Sequence, residues 1–263
     1  MRRPCAPGAS PVPEGNFSPK RLVESPQMTF NAGAIRGIIF DLDGTLVDSY
    51  EAIAESLNSA LLGMSRATLP VDQVRTMVGR GLETLIERGL GGPPGASPEA
   101  IAQGVRLFRE RYDLICVDKT RLLPDVARVL PELHARGYVM GVATNKPSYF
   151  ARRLLDAMGV GDLLMAVLGP DLVEHPKPHP AMLLAVLESM KLEPSAALYV
   201  GDMEIDVETA RAAGLPVVVM PTGSRPLEEL QSAGADQVLP DFGSLLELLP
   251  GPERAPSTAR VSE

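Results

Sequence analysis

Asp41 and Asp43 are the residues with most to offer chemically. They stand in the run Asp41-Leu42-Asp43-Gly44-Thr45-Leu46-Val47-Asp48-Ser49, at the end of an apolar, β-branched stretch from Ile35 to Leu42. In an extended backbone, side chains two residues apart point to the same face. Two carboxylates so placed repel each other unless a cation or a shared proton compensates. Such a pair suits a divalent ion that prefers oxygen ligands. Gly44 permits a tight turn, with backbone N–H groups free to face an anion. Read without context, the same run is also an ordinary acidic turn after a strand.

Three further stretches carry groups of the same kind. Val142-Ala143-Thr144-Asn145-Lys146 ends an apolar run in a hydroxyl, an amide and an ammonium. Lys177-Pro178-His179-Pro180 is a lysine in a proline-bounded loop, and Gly201-Asp202-Met203-Glu204-Ile205-Asp206 sets two acids four residues apart. Each has a plainer reading in isolation. Thr144 is a β-branched strand end, Lys177 a solvated loop lysine, and Asp202 with Asp206 an acidic helix start favoured by the dipole. Asn145 and Lys146 either touch an anion or cap the next helix. Asp48 caps or orients a following helix, and His179 shapes the Lys-Pro turn.

The elements that must position these groups alternate. Strands are expected at Ile35 to Leu42, Tyr138 to Thr144, Leu164 to Leu168, Ala197 to Val200 and Pro216 to Met220. Helical patterns fall between them at Asp125 to Arg136, Ser148 to Met158, Pro180 to Lys191 and Ile205 to Ala213. This alternation predicts an α/β fold, a parallel sheet with helices on both faces. Ligands in such a sheet bind beyond the carboxyl ends of the strands, where strand order reverses. Asp41, Thr144 and Asp202 all stand at such ends, and Lys177 lies in a loop beyond another.

Between the first two strands the alternation breaks. Residues 49–119 show no convincing strand. Glu51 to Met64 and Leu82 to Leu90 read as helices, and Ser97-Pro98 gives an N-cap with proline at the first helical position. Ile101, Val105, Phe108, Tyr112 and Ile115 then repeat at helical spacing. The expected organisation is a core from residues 34–48 and 120–249, a helical cap from 49–119, and disordered tails at 1–33 and 250–263. Met28, just before the first strand, is an alternative start.

Composition narrows the class. Of 263 residues 45% are hydrophobic, enough for a sizeable core. The formal net charge of -8 argues against a nucleic-acid binder. The 2 cysteines, Cys5 and Cys116, form no metal-ligand spacing, and the 3 histidines make no zinc-binding helix motif. No apolar run approaches a membrane span. Arg2 and Arg3 precede no apolar segment, so a secretory signal is not expected and the chain reads as cytoplasmic.

Together the four stretches resemble, in order, the motifs of the haloacid-dehalogenase-like hydrolase superfamily, over roughly Ile35 to Leu249. The resemblance implies a Rossmann-like sheet core with an α-helical cap inserted after the first strand. It implies a Mg²⁺-dependent phosphatase in which Asp41 is the nucleophile that becomes an aspartyl-phosphate. Asp43 would be the general acid and base. Asp41, the Asp43 carbonyl, Asp202 and Asp206 would hold Mg²⁺, with Asp206 direct or through water. Gly44, Thr45, Thr144, Asn145 and Lys177 would hold the phosphate. Dehalogenases need no acid at position 43, and phosphonatases usually carry alanine there, so Asp43 points to phosphate esters or phosphomutase work. Val78-Gly79-Arg80-Gly81-Leu82 resembles a cap loop of phosphoglycolate phosphatases, with Arg80 as the expected reader of a substrate carboxylate. The implied substrate is 2-phosphoglycolate. Sugar phosphates, N-acetylmuramate 6-phosphate, pyrophosphate and a β-phosphoglucomutase-like reaction remain open, as does a monomer or homodimer. A non-enzymatic module would be expected to lack Asp41, Asp43 or Lys177, and a response-regulator receiver domain to be shorter, without a cap or Asp43.

Overall fold

The computed structural model describes residues 30–92 and 96–251. Strand β1 (Gly37–Phe40) lies inside the sheet, followed by the two-residue β2 (Val47–Asp48). Four helices come next: α1 (Tyr50–Gly63), α2 (Val71–Met77), α3 (Leu82–Gly89) and α4 (Pro98–Ile115). The chain returns through β3 (Arg121–Leu122), which pairs antiparallel with β2. The helical segment therefore leaves and rejoins the sheet at one place.

The alternation then runs α5 (Val126–Ala135), β4 (Val139–Ala143), α6 (Ser148–Ala157), β5 (Ala166–Leu168), α7 (Ala181–Met190) and β6 (Ala197–Gly201). It ends with α8 (Glu204–Ala213), β7 (Val217–Val219), α9 (Leu227–Ser232), β8 (Gln237–Val238) and α10 (Leu245–Leu248). The large sheet has the order β5-β4-β1-β6-β7-β8, every pair parallel. β1 thus sits between β4 and β6, and strand order reverses around it.

The strands carry apolar residues on both faces because helices cover both. Ile38, Phe40, Met140, Val142, Leu198, Val200 and Val218 face one core. Ile39, Ala143, Tyr199, Val217 and Val219 face the other. Burying these side chains supplies about 1.5–3 kcal/mol each before entropy is charged. A third cluster fills the helical segment, where α1 packs on α4, and it draws in Phe150 and Leu154 from α6. Tyr112 meets Phe150 edge-on, with centroids 5.0 Å apart.

The Ser97 hydroxyl caps α4 by accepting from Ala100 N, as its position before Pro98 predicts. Six elements escaped the sequence pattern: β2, β3, α2, α9, β8 and α10. α2 buries only Val74, β8 has two residues, and α9 buries only Leu230. Each is too short or too polar to show a period. The expected tails fall mostly on residues 1–29 and 252–263, outside the described residues, as do Cys5 and Met28. At its inner edge the N-terminal expectation is corrected. Asn31 accepts from Gly33 N at 3.0 Å and caps a 3₁₀ turn at Ala32–Ala34, while Phe30 packs on the core. Among the described residues no helix is long and apolar enough to cross a membrane.

Candidate active site

Asp41 follows the last residue of β1, Thr144 the last of β4, and Asp202 the last of β6. Neighbouring parallel strands in register bring these three ends together. Lys177, from the loop before α7, reaches in beneath them. Its ammonium lies 3.0 Å from Asp41 Oδ1, 2.8 Å from Asp206 Oδ1 and 3.0 Å from the Tyr199 hydroxyl. Its side chain is 1% exposed. Burial opposes the charge on Lys177, but Asp206 and Asp41 more than reverse this and hold its pKa well above the ordinary value.

Asp206 belongs to the first turn of α8. Its Oδ2 accepts from Asp202 N and Met203 N, both at 3.1 Å. The plain helix-cap reading of this acid is therefore correct as far as it goes. With Oδ1 taken by Lys177 and Tyr199, both oxygens of Asp206 are engaged.

Asp202 is held differently. Its Oδ1 accepts from the Thr45 hydroxyl at 2.9 Å, whereas its Oδ2 is fully buried and has no hydrogen-bond partner among the described residues. Gly44, at φ +89°, and Gly223 pass so close that a Cβ on either would collide with that oxygen. Burial above all, then Asp206 and Asp41, push the Asp202 pKa well up. Burial likewise raises Asp41 to about 6, with Lys177 opposing and Asp206 adding to the rise.

Oxygens of Asp41, Asp202 and Asp206 lie within 4.8 Å of one another, all buried. Three carboxylates against one ammonium leave an excess of negative charge in a dry place. An all-oxygen donor set and an orphaned carboxylate oxygen are what a hard divalent cation requires, so these residues fit Mg²⁺. The Asp43 side chain lies outside that group. It turns instead to Lys146, whose Nζ is 2.9 Å from its Oδ2, and to the Ser49 hydroxyl, which donates to its Oδ1.

A cavity of about 60 Å³ opens above Asp41 and Asp43, between the sheet and the helical segment. Thr144, Asn145 and Lys146 line it from β4's end. Gly79, Leu82, Phe108 and Tyr112 line it from the helices. The structure thus gathers Asp41, Asp43, Gly44, Thr45, Thr144, Lys177, Asp202 and Asp206.

Two expectations change. Asn145 spends its side chain on protein: its Oδ1 accepts from Lys177 N at 3.0 Å, and its Nδ2 donates to Lys177 O and Gly79 O. Arg80 is exposed and forms no part of the cavity wall, although Gly79 and Gly81 do. The glycines bend the loop so that backbone faces the cavity and the arginine faces outward. Asp48 accepts from Tyr50 N at the start of α1, and His179 from Ala181 N, so both act on local structure.

Tyr112 was missed as a site residue, because it sits on the apolar stripe of α4. Lys146, expected either to touch an anion or to cap the next helix, lines the cavity and pairs with Asp43.

The sequence profile of the haloacid dehalogenase-like hydrolases matches residues 38–220. The phosphoglycolate phosphatase of Rhodospirillum rubrum is 40% identical over 238 residues, covering 87% of this chain and 98% of the relative. That of Escherichia coli K12 is 34% identical over 233 residues, covering 82% and 92%. A crystal structure of a predicted phosphoglycolate phosphatase from Haemophilus somnus 129pt superposes with a TM-score of 0.76 at 30% identity, covering 82% and 98%.

Proposed function

The chain belongs to the haloacid dehalogenase-like hydrolases and is a phosphatase, and from that premise we propose that it hydrolyses 2-phosphoglycolate with the help of Mg²⁺. The observation that carries the reading is the orphaned oxygen of Asp202 beside Asp41, which itself lines the cavity between the sheet and the helical segment. Its relatives bear the name of that activity, and the helical segment α1–α4 serves as the cap that closes over the substrate.

Asp41 attacks phosphorus, forming an Oδ–P bond as the ester P–O bond breaks. Asp43 gives its proton to the leaving alkoxide. It then takes a proton from the water that splits the aspartyl-phosphate, releasing phosphate and free Asp41. Lys177 and Thr144 hold the transferring oxygens where charge develops. Asp41, the Asp43 carbonyl and Asp202 would hold Mg²⁺, with Asp206 orienting Lys177 and the loop. When bound, the cation offsets repulsion between the carboxylate and the incoming phosphate.

The test is phosphate release with Mg²⁺ from 2-phosphoglycolate, pyrophosphate, β-glucose 1-phosphate and other sugar phosphates. The expected result is a clear kcat/KM preference for 2-phosphoglycolate, lost in a folded Asp41→Asn variant. Preference for a sugar phosphate would keep the phosphatase and replace the substrate. Turnover in Asp41→Asn would overturn the covalent route.

A further inference from the structure

The cavity is unequally charged. Asp41 and Asp43 lie at its floor, and Lys146 is the only cation among the described residues that line it. The Lys146 side chain is 6% exposed. Its Nζ is 2.9 Å from Asp43 Oδ2 and 4.9 Å from the centroid of the Tyr112 ring. Tyr112, on α4, is 1% exposed, lines the same cavity, and has a hydroxyl with no hydrogen-bond partner among the described residues.

A buried hydroxyl without a partner is costly and calls for an explanation. An ammonium has three donors; Lys146 turns one to Asp43 and stands close enough to the Tyr112 hydroxyl to engage it weakly, which leaves at least one free. Phe108, Phe150, Leu82 and Leu85 make the adjoining wall apolar. A polar group that enters here meets a buried ammonium and a buried phenol in a poorly screened place. Burial disfavours the charge on Lys146, yet Asp43 and Tyr112 hold its pKa above the ordinary value. Burial pushes the Tyr112 hydroxyl up to about 12, against the pull of Lys146.

We propose that Lys146 and Tyr112 form a subsite for a second anionic group on the substrate, a carboxylate carried on the carbon next to the phosphate ester. The inference rests on the phosphatase reading above and deepens it. It moves selectivity from the exposed Arg80 to a buried pair. One member comes from the sheet and the other from the helical segment, so the subsite is complete only when the two are packed together.

The experiment compares kcat/KM for 2-phosphoglycolate and for 2-hydroxyethyl phosphate, which replaces the carboxylate by a neutral hydroxymethyl group. It uses wild type, Lys146→Gln and Tyr112→Phe. Wild type is expected to prefer the anionic ester. Lys146→Gln slows both esters, because Asp43 loses its partner, but cuts the preference by about 30-fold, as losing a charge-assisted bond would. Tyr112→Phe cuts it by about 5-fold. Equal losses on both esters would make Lys146 a positioning residue for Asp43 alone and overturn the subsite. A wild type that turns over the neutral ester as readily overturns the subsite and spares the phosphatase. Turnover of neither ester defeats the proposed function and the subsite with it. If Lys146→Gln does not fold, Tyr112→Phe, which removes one oxygen, decides the matter.

Discussion

Asn145 clasps the backbone of Lys177 from both sides, accepting from its N–H at 3.0 Å and donating to its carbonyl at 3.1 Å. The two residues lie on separate loops, and this clasp fixes where the Lys177 ammonium meets Asp41 and Asp206. Asn145→Ala should therefore lower kcat about tenfold or more, while costing roughly 1–3 kcal/mol of stability for the unpaired backbone groups. Steady-state kinetics and thermal melts check both. An unchanged kcat would show that Lys177 holds its place unaided.

Asp202→Asn neutralises the buried acid whose Oδ2 has no partner. The variant should lose at least about 1000-fold in turnover, and its Tm should no longer rise on adding Mg²⁺. Without metal it should be no less stable than wild type, since one of three crowded carboxylates is gone. A retained Mg²⁺-dependent Tm shift would remove Asp202 from the ligands.

The raised pKa of Asp41 makes the metal effect depend on pH. The folded value, about 6, lies above the ordinary 3.8. As pH rises between these values the unfolded chain releases this proton while the folded chain keeps it, so the metal-free protein loses stability. Mg²⁺ needs the ionised form, and a proton competes with it below about pH 6. The Tm gain from Mg²⁺ should accordingly be larger at about pH 7.5 than at about pH 5. A gain that shrinks with rising pH would contradict the raised value.

Arg80→Ala should change kcat/KM for 2-phosphoglycolate by less than about threefold, because the side chain is exposed and off the cavity wall. A large rise in KM would return the carboxylate to Arg80.

What the sequence made legible follows physical periodicity. β1, β4, β6 and β7 showed as apolar runs because both sheet faces are buried, and Asp41, Thr144 and Asp202 could be placed because each ends such a run. Lys177 was readable only through its company, since a loop lysine has no pattern of its own. Side-chain direction was not legible. Gly79 and Gly81, with φ of +118° and +93°, turn Arg80 away from the cavity that their own backbone lines. Tyr112 was hidden by the opposite effect, as a phenol on an apolar stripe, and the choice between an anion contact and a helix cap for Lys146 turned on its burial beside α4 and α6. β8 and α9 are held by tertiary contact more than by their own sequence, and so left no local mark.

The position of β1 within the sheet also constrains how the protein is made. Residue 37 pairs with residues 139 and 197, and its strand comes early in the described chain. During synthesis from the N-terminus, the strand that ends in Asp41 emerges early and stays unpaired until much of the chain has followed. The α1–α4 segment needs no such wait, because α1 finds α4 within a short stretch of sequence. The α1–α4 segment can thus condense first, while β1 waits for slow long-range pairing with β4 and β6. Until then β1 is an apolar, four-residue edge exposed to any other chain, and chaperone demand should centre on that interval.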